Sequence, residues 1–203
     1  MIRRAVTGRP PRACAWPERS PGAGHDEQVR AEDEAVAVYD ADGREIGVAP
    51  RGVVYRDRRW HASSAVLVRS GDGERVYLHR RAPDKLIFPG CYDCWAGGVL
   101  GPGEAPEDGA ARELEEELGV RSVPLLPRER VPYDDGTLRC HLFTYEARWD
   151  GPLRHQPEEV VWGEWVTLAQ LRTRLDDPGR WPFVPDGRVA IERWLAARAR
   201  PSA

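Results

Sequence analysis

The sequence predicts an α/β domain, a mixed β-sheet packed between helices as an α/β/α sandwich, and three observations carry that expectation. Short apolar runs alternate with Asp-Gly and Gly-Asp-Gly turns through the first half of the chain. One helix with clear start and stop signals lies in the middle, with strand-like runs on both sides of it. Two further helical stretches follow the last apolar run, so strands and helices are interleaved.

In order along the chain, residues 35–39 (AVAVY) and 45–48 (EIGV) flank Asp40-Ala41-Asp42-Gly43 and read as a β-hairpin. Residues 56–60 lead into a strand at 64–68, whose partner at 75–78 lies across the Gly71-Asp72-Gly73 turn. A helix is expected from Pro106 to Leu118. Pro106 suits its first turn, Glu107 and Asp108 suit its positive end, and Gly119 suits the left-handed residue just past it. Further strands are expected at 123–126, 140–147 and 160–166, with Asp134-Asp135-Gly136 as a turn. Helices at 168–175 and 189–200 close the chain, the second with Ile191, Trp194, Leu195 and Arg198 at helical spacing. Strand order does not follow from pattern alone.

A chain of 203 residues suits one domain with a sizeable core. Residues 1–30 mix arginine with proline and few core formers, and are expected to be a flexible tail ahead of a domain at 31–203. The 30 Lys and Arg residues nearly balance the 33 Asp and Glu, leaving a formal charge of −3. No global pull toward nucleic acid or an anionic membrane results, so neither is expected as a specific partner. No apolar segment reads as a signal peptide or a bilayer span, and a cytoplasmic protein with reduced thiols at Cys14, Cys91, Cys94 and Cys140 is expected. Cys91 and Cys94 form a C-x-x-C without a second pair or paired histidines, which favours buried thiols over zinc or redox chemistry. His61, His79, His141 and His155 have no close pairing and read as structural or exposed. Trp95 is either a core residue or a stacking surface for a ligand.

The chemistry is concentrated between Gly98 and Val120. Gly98 is followed by Glu104, then Arg112-Glu113, Leu114, Glu116-Glu117 and Gly119-Val120. At about 100° per residue, Ala110, Ala111, Leu114 and Leu118 share one helical arc, with Glu113, Glu116 and Glu117 in the arc beside it. Carboxylates at i, i+3 and i+4 repel unless something neutralises them. An oxygen-preferring divalent cation, Mg²⁺ or Mn²⁺ in its place, does this, and a small-molecule diphosphate supplies remaining ligands. The expected chemistry is attack of water on phosphorus in a P–O–P linkage. A solvated acidic helix would account for Glu115-Glu116-Glu117, but not for the glycines, arginine and leucine in register with them.

That spacing fills every fixed position of the Nudix box, and the chain resembles the Nudix hydrolase superfamily over residues from about 34 to 200. The resemblance implies the Nudix sandwich and a pyrophosphohydrolase acting on a nucleoside diphosphate derivative or related metabolite. It implies Glu113, Glu116 and Glu117 as metal ligands, one of them often the base, with Arg112 orienting them and Glu104 bracing the site. It also implies Glu159 as an additional carboxylate facing the metal. Outside the box, residues 38–47, 78–81 and 88–98 look like the branch related to isopentenyl-diphosphate isomerase. That likeness implies Arg81 and Lys85 as diphosphate-binding residues. It also puts Gly97 and Val99 where the isomerase needs acid–base groups, so hydrolysis is expected over isomerisation. A non-catalytic ligand-binding module and a homodimer are compatible with the same residues.

Overall fold

The structure is a computed structural model that describes residues 31–199. The expected tail at 1–30 lies outside the described residues. The elements run β1 (Ala35–Tyr39), β2 (Glu45–Pro50), α1 (Arg51–Arg56), β3 (Trp60–Arg69), β4 (Arg75–Arg81), β5 (Tyr92–Asp93) and β6 (Trp95–Val99). They continue with α2 (Pro106–Leu118), β7 (Leu126–Asp134), β8 (Arg139–Arg148), β9 (Val160–Thr167), α3 (Leu168–Leu175) and α4 (Pro185–Arg198).

β3 organises the sheet. β8 runs parallel to it from His61↔Cys140 to Arg69↔Arg148, whereas β6 is antiparallel to it with Ser64 opposite Gly98. β1 joins the start of β3 and β4 its end. β4 is paired in turn with β5 and β9, and β7 pairs with β8. Parallel and antiparallel pairs make the sheet mixed, as expected.

Side-chain alternation along β3 makes the sandwich. Val66 and Val68 point into a cluster with Ala110, Leu114 and Leu118 of α2. Ala65 and Leu67 point the other way, toward Leu171 and Leu175 of α3 and Ile191, Trp194 and Leu195 of α4. On the α4 side Arg69 and Glu146 form an ion pair at 2.9 Å with each side chain 1% exposed, and Glu146 also accepts from Arg128 and from Trp194 Nε1.

Several expectations change at their edges. The segment before β3 contains a short helix, α1, that buries Val54 and Tyr55. The strand expected at 123–126 is instead the longer β7, starting at Leu126. Its residues are mostly exposed and it borders only β8, so no buried apolar run marks it, and Pro127 and Pro132 are tolerated in such a strand. The glycine-rich run before α2 is a further strand, β6. The last helix begins at Pro185, earlier than 189, because proline is well placed in a first turn.

The cysteine expectation needs one correction. Cys94 and Cys140 are free and buried, but Cys91 is disulfide-bonded rather than reduced. Cys91 and Cys94 do not act as a pair: Cys91 packs with Phe88 and Val99, and Cys94 with Trp95 and Ile191. Among the described residues no helix is long and apolar enough to cross a membrane.

Candidate active site

α2 forms as its end signals dictate. Pro106 opens it, and Gly119 ends it in the left-handed region at φ 69°, donating its N–H to Glu115 O at 2.9 Å. Leu114 and Leu118 anchor the helix on the sheet, and that orientation decides where the glutamates go. Glu117 shares the buried face and is 2% exposed. Its Oε2 accepts a hydrogen bond from Gly97 N at 3.2 Å. Glu113 lies at the edge of that face with its carboxylate against Gly98, where a Cβ would fall 2.2 Å from Glu113 Oε1. Glu116 is turned outward, with a side chain 49% exposed. The stripe read from the helical wheel is therefore split by burial, with Glu113 and Glu117 inward and Glu116 at the rim.

Arg112 ties these groups together. Its Nε and Nη2 donate to the two oxygens of Glu104 at 2.8 and 3.1 Å, a bidentate pair. Its Nη1 donates to Glu113 Oε1 at 2.6 Å and Glu116 Oε2 at 3.3 Å. Glu104 is held in turn by Gly101 N at 2.8 Å. The Arg112 hydrogen bonds keep the Glu104 carboxyl below its ordinary pKa.

On the facing side, Arg81 ends β4 and Lys85 follows it, and Lys85 Nζ pairs with the Glu159 carboxylate just before β9. Glu117 feels all of these groups. Burial pushes its pKa up to about 8; Arg81 and Lys85 oppose the rise, while Glu113 and Glu159 add to it. Glu113 is also raised, by burial first and then by Glu116 and Glu159, against the pull of Arg112. The structure thus brings Arg81, Lys85, Glu113, Glu117 and Glu159 to one place, with Arg112 and Glu104 bracing it.

The donor set is carboxylate oxygen throughout, which suits Mg²⁺ or Mn²⁺ and not a thiolate- or imidazole-seeking ion. Gly98 leaves the space that the Glu113 carboxylate needs, and Gly97 leaves room for the β3 backbone at Ser64. Among the described residues no three His, Cys, Asp or Glu side chains are placed to hold a metal ion by themselves. Arg112 Nη1 occupies one oxygen each of Glu113 and Glu116, and Lys85 holds Glu159. The residues fit such an ion in their chemistry, as carboxylates that would be released from Arg112 and Lys85 to take it. Nε of Arg81 is buried without a partner among the described residues, a donor left over for an anion.

Sequence reading missed Asp93 and Asp186. Asp93 accepts from Cys94 N and Trp95 N at 2.8 and 3.1 Å, and its pKa is pushed up to about 7 by burial and then by Asp186. Arg81 opposes the shift in both groups as it does in Glu117, so its charge acts on the box carboxylates and on this second acidic pair alike. They lie 93 residues apart in sequence terms no local motif spans, and only the docking of the α4 start against β5 unites them. Trp95 proves to be core, 3% exposed with Nε1 donating to Gly187 O at 3.0 Å. His61, His79 and His141 are buried, as a structural role requires.

Comparison with known proteins gives the family. The NUDIX domain family matches residues 59–187. A Rhodococcus erythropolis protein named as an uncharacterized Nudix hydrolase, orf19, is 50% identical over 168 residues, covering 78% of this chain and 90% of the relative. A Streptomyces coelicolor protein named as an uncharacterized Nudix hydrolase, SCO1686, is 41% identical over 169 residues, 82% of this chain and 91% of its own length. Among solved structures, the crystal structure of DR0079 from Deinococcus radiodurans superposes with a TM-score of 0.60 at 26% identity, over 70% of this chain and 89% of that one. The box, the sandwich and these relatives together show that the chain belongs to the Nudix family and is an enzyme of its hydrolase class.

Proposed function

We propose that the protein is a Mg²⁺-dependent pyrophosphohydrolase, with Mn²⁺ able to substitute, that cleaves the diphosphate linkage of a nucleoside diphosphate derivative or related metabolite. The observation that carries this reading is the buried Glu117 carboxylate, set beside Glu113 and Glu159 and faced by Arg81 and Lys85. Buried acids crowded together call for a cation, and basic groups across from them suit a diphosphate. Glu113, Glu116 and Glu117 would hold the ion, with Glu159 as an additional carboxylate. Bound there, the ion would supply neutralisation of phosphate charge and a lowered pKa for the attacking water, easing loss of its proton.

The chain's own residues do the rest. Arg81 and Lys85 bind and orient the diphosphate, limiting its rotation before reaction. Arg112 holds Glu113 and Glu116 in place, and Glu104 fixes Arg112. One carboxylate of the inward group accepts the proton of the attacking water. Isomerase chemistry finds no acid at the position of Gly97, where a Cβ would come 2.1 Å from Ser64 O, and Cys94 is buried with its thiol pKa raised well above normal by that burial.

The test is turnover of a panel of nucleotide sugars, dinucleotides, nucleoside triphosphates and prenyl diphosphates, with Mg²⁺ and with EDTA. Metal-dependent release of phosphorylated products, reduced about 10²–10⁴-fold in Glu117→Gln, is the expected result. Turnover in EDTA that is indifferent to Glu117→Gln rejects the proposal.

A further inference from the structure

Among the 30 basic residues of this chain, residue 85 alone is lysine. That lysine pairs with Glu159 and lies within electrostatic reach of Glu117 and Arg81. The backbone beneath it is fixed, because Ala82 N donates to Glu159 O at 2.9 Å and ties the β4–β5 loop to the approach of β9. The side chains are not sealed in: Lys85 is 17% and Glu159 25% exposed. A long flexible arm thus ends in a compact charge on a carboxylate at the mouth of an acidic cluster. An arginine would hold a carboxylate by a rigid two-pronged fork, whereas an ammonium is a point charge that exchanges readily with a metal ion.

Resting on the metal-dependent reading above, we propose that Lys85 is an exchangeable counter-ion. It neutralises Glu159 while no divalent cation is bound, and it moves onto the substrate diphosphate when the cation takes that carboxylate. Two consequences follow from a single arm serving two anions. Lys85 competes with the metal in the substrate-free protein, and metal and diphosphate each bind more tightly once the other has drawn the lysine into its second position.

The experiment is titration of the full chain with Mn²⁺ alone, without substrate, followed by water-proton relaxation. Wild type, Lys85→Met, Lys85→Gln and Lys85→Arg are compared, with circular dichroism melts to verify folding. Lys85→Met and Lys85→Gln are expected to bind Mn²⁺ at least about fivefold more tightly than wild type. Lys85→Arg, whose fork stays on Glu159, gains nothing. On a Glu159→Gln background the Lys85→Met gain shrinks to less than about twofold, because the contested carboxylate is gone. Equal or weaker Mn²⁺ binding in both neutral variants overturns the exchange and leaves the metal-dependent reading standing. Absence of Mn²⁺ binding in wild type and variants alike refutes that reading, and the exchange with it.

Discussion

Replacing Glu117 by Gln should make the metal-free protein more stable, not less, and increasingly so as pH rises. Glu117 titrates near 8 in the folded chain against an ordinary value of 4.5, chiefly because it is buried. Between those two values the folded state holds a proton that the unfolded state has released. Stability therefore falls with rising pH across that window and levels off above the folded value. The full shift corresponds to about 5 kcal/mol, and relaxation of the helix end with water entry leaves an expected gain of about 1–3 kcal/mol for Glu117→Gln at pH 8.5. At pH 4 the gain should vanish, since the carboxyl is then protonated in both states. Urea unfolding in EDTA at a series of pH values measures this directly, and thermal melts should show a shift of roughly 3–10 °C at the alkaline end. Mg²⁺ should restore wild-type stability at pH 8.5 and do little for the variant. A Glu117→Gln protein less stable than wild type at pH 8.5, or a difference that does not change with pH, would refute the account of Glu117 as an uncompensated buried acid.

Three further outcomes follow from the same geometry. Gly98→Ala places a Cβ 2.2 Å from Glu113 Oε1, so Glu113 must move; kcat should fall about 10–100-fold with a stability loss of about 1–3 kcal/mol, read by steady-state kinetics and urea unfolding. Arg112→Met frees Glu104, Glu113 and Glu116 at once and should lower kcat about 100-fold, while the helix content in far-UV circular dichroism stays unchanged. Arg69→Met removes the 2.9 Å partner of buried Glu146 on the opposite side of the sheet but leaves it Arg128 at 2.8 Å and Arg148 at 3.4 Å, and should cost about 1.5–3 kcal/mol; kcat per folded molecule should hold, and a matching loss of kcat would show that this ion pair serves the active site as well.

The relation between sequence and site is clearest in α2. Its bounds, its left-handed Gly119 and the bracing of Arg112 on Glu104, Glu113 and Glu116 are local: they depend on residues within a few turns of one another. The hairpin of β1 and β2 was equally legible, because an Asp-Gly turn between apolar runs needs no distant partner. β7 was misplaced because a bordering strand with charged faces has no hydrophobic signature, and β6 was unmarked as a strand because glycine has low strand propensity.

What the chain encoded by itself was the acidic motif: carboxylates, an arginine to hold them and a glycine to make room, at a spacing few alternative readings satisfy. Tertiary structure decided which acids are buried. A helical wheel treats Glu113, Glu116 and Glu117 as equals, but docking α2 on the sheet buries one, shelters another and leaves the third in water. It also brought Lys85 to Glu159 and Asp93 to Asp186 across long stretches of chain. Burial and long-range proximity set the energy of a charge, and neither exists until the strands and helices have packed.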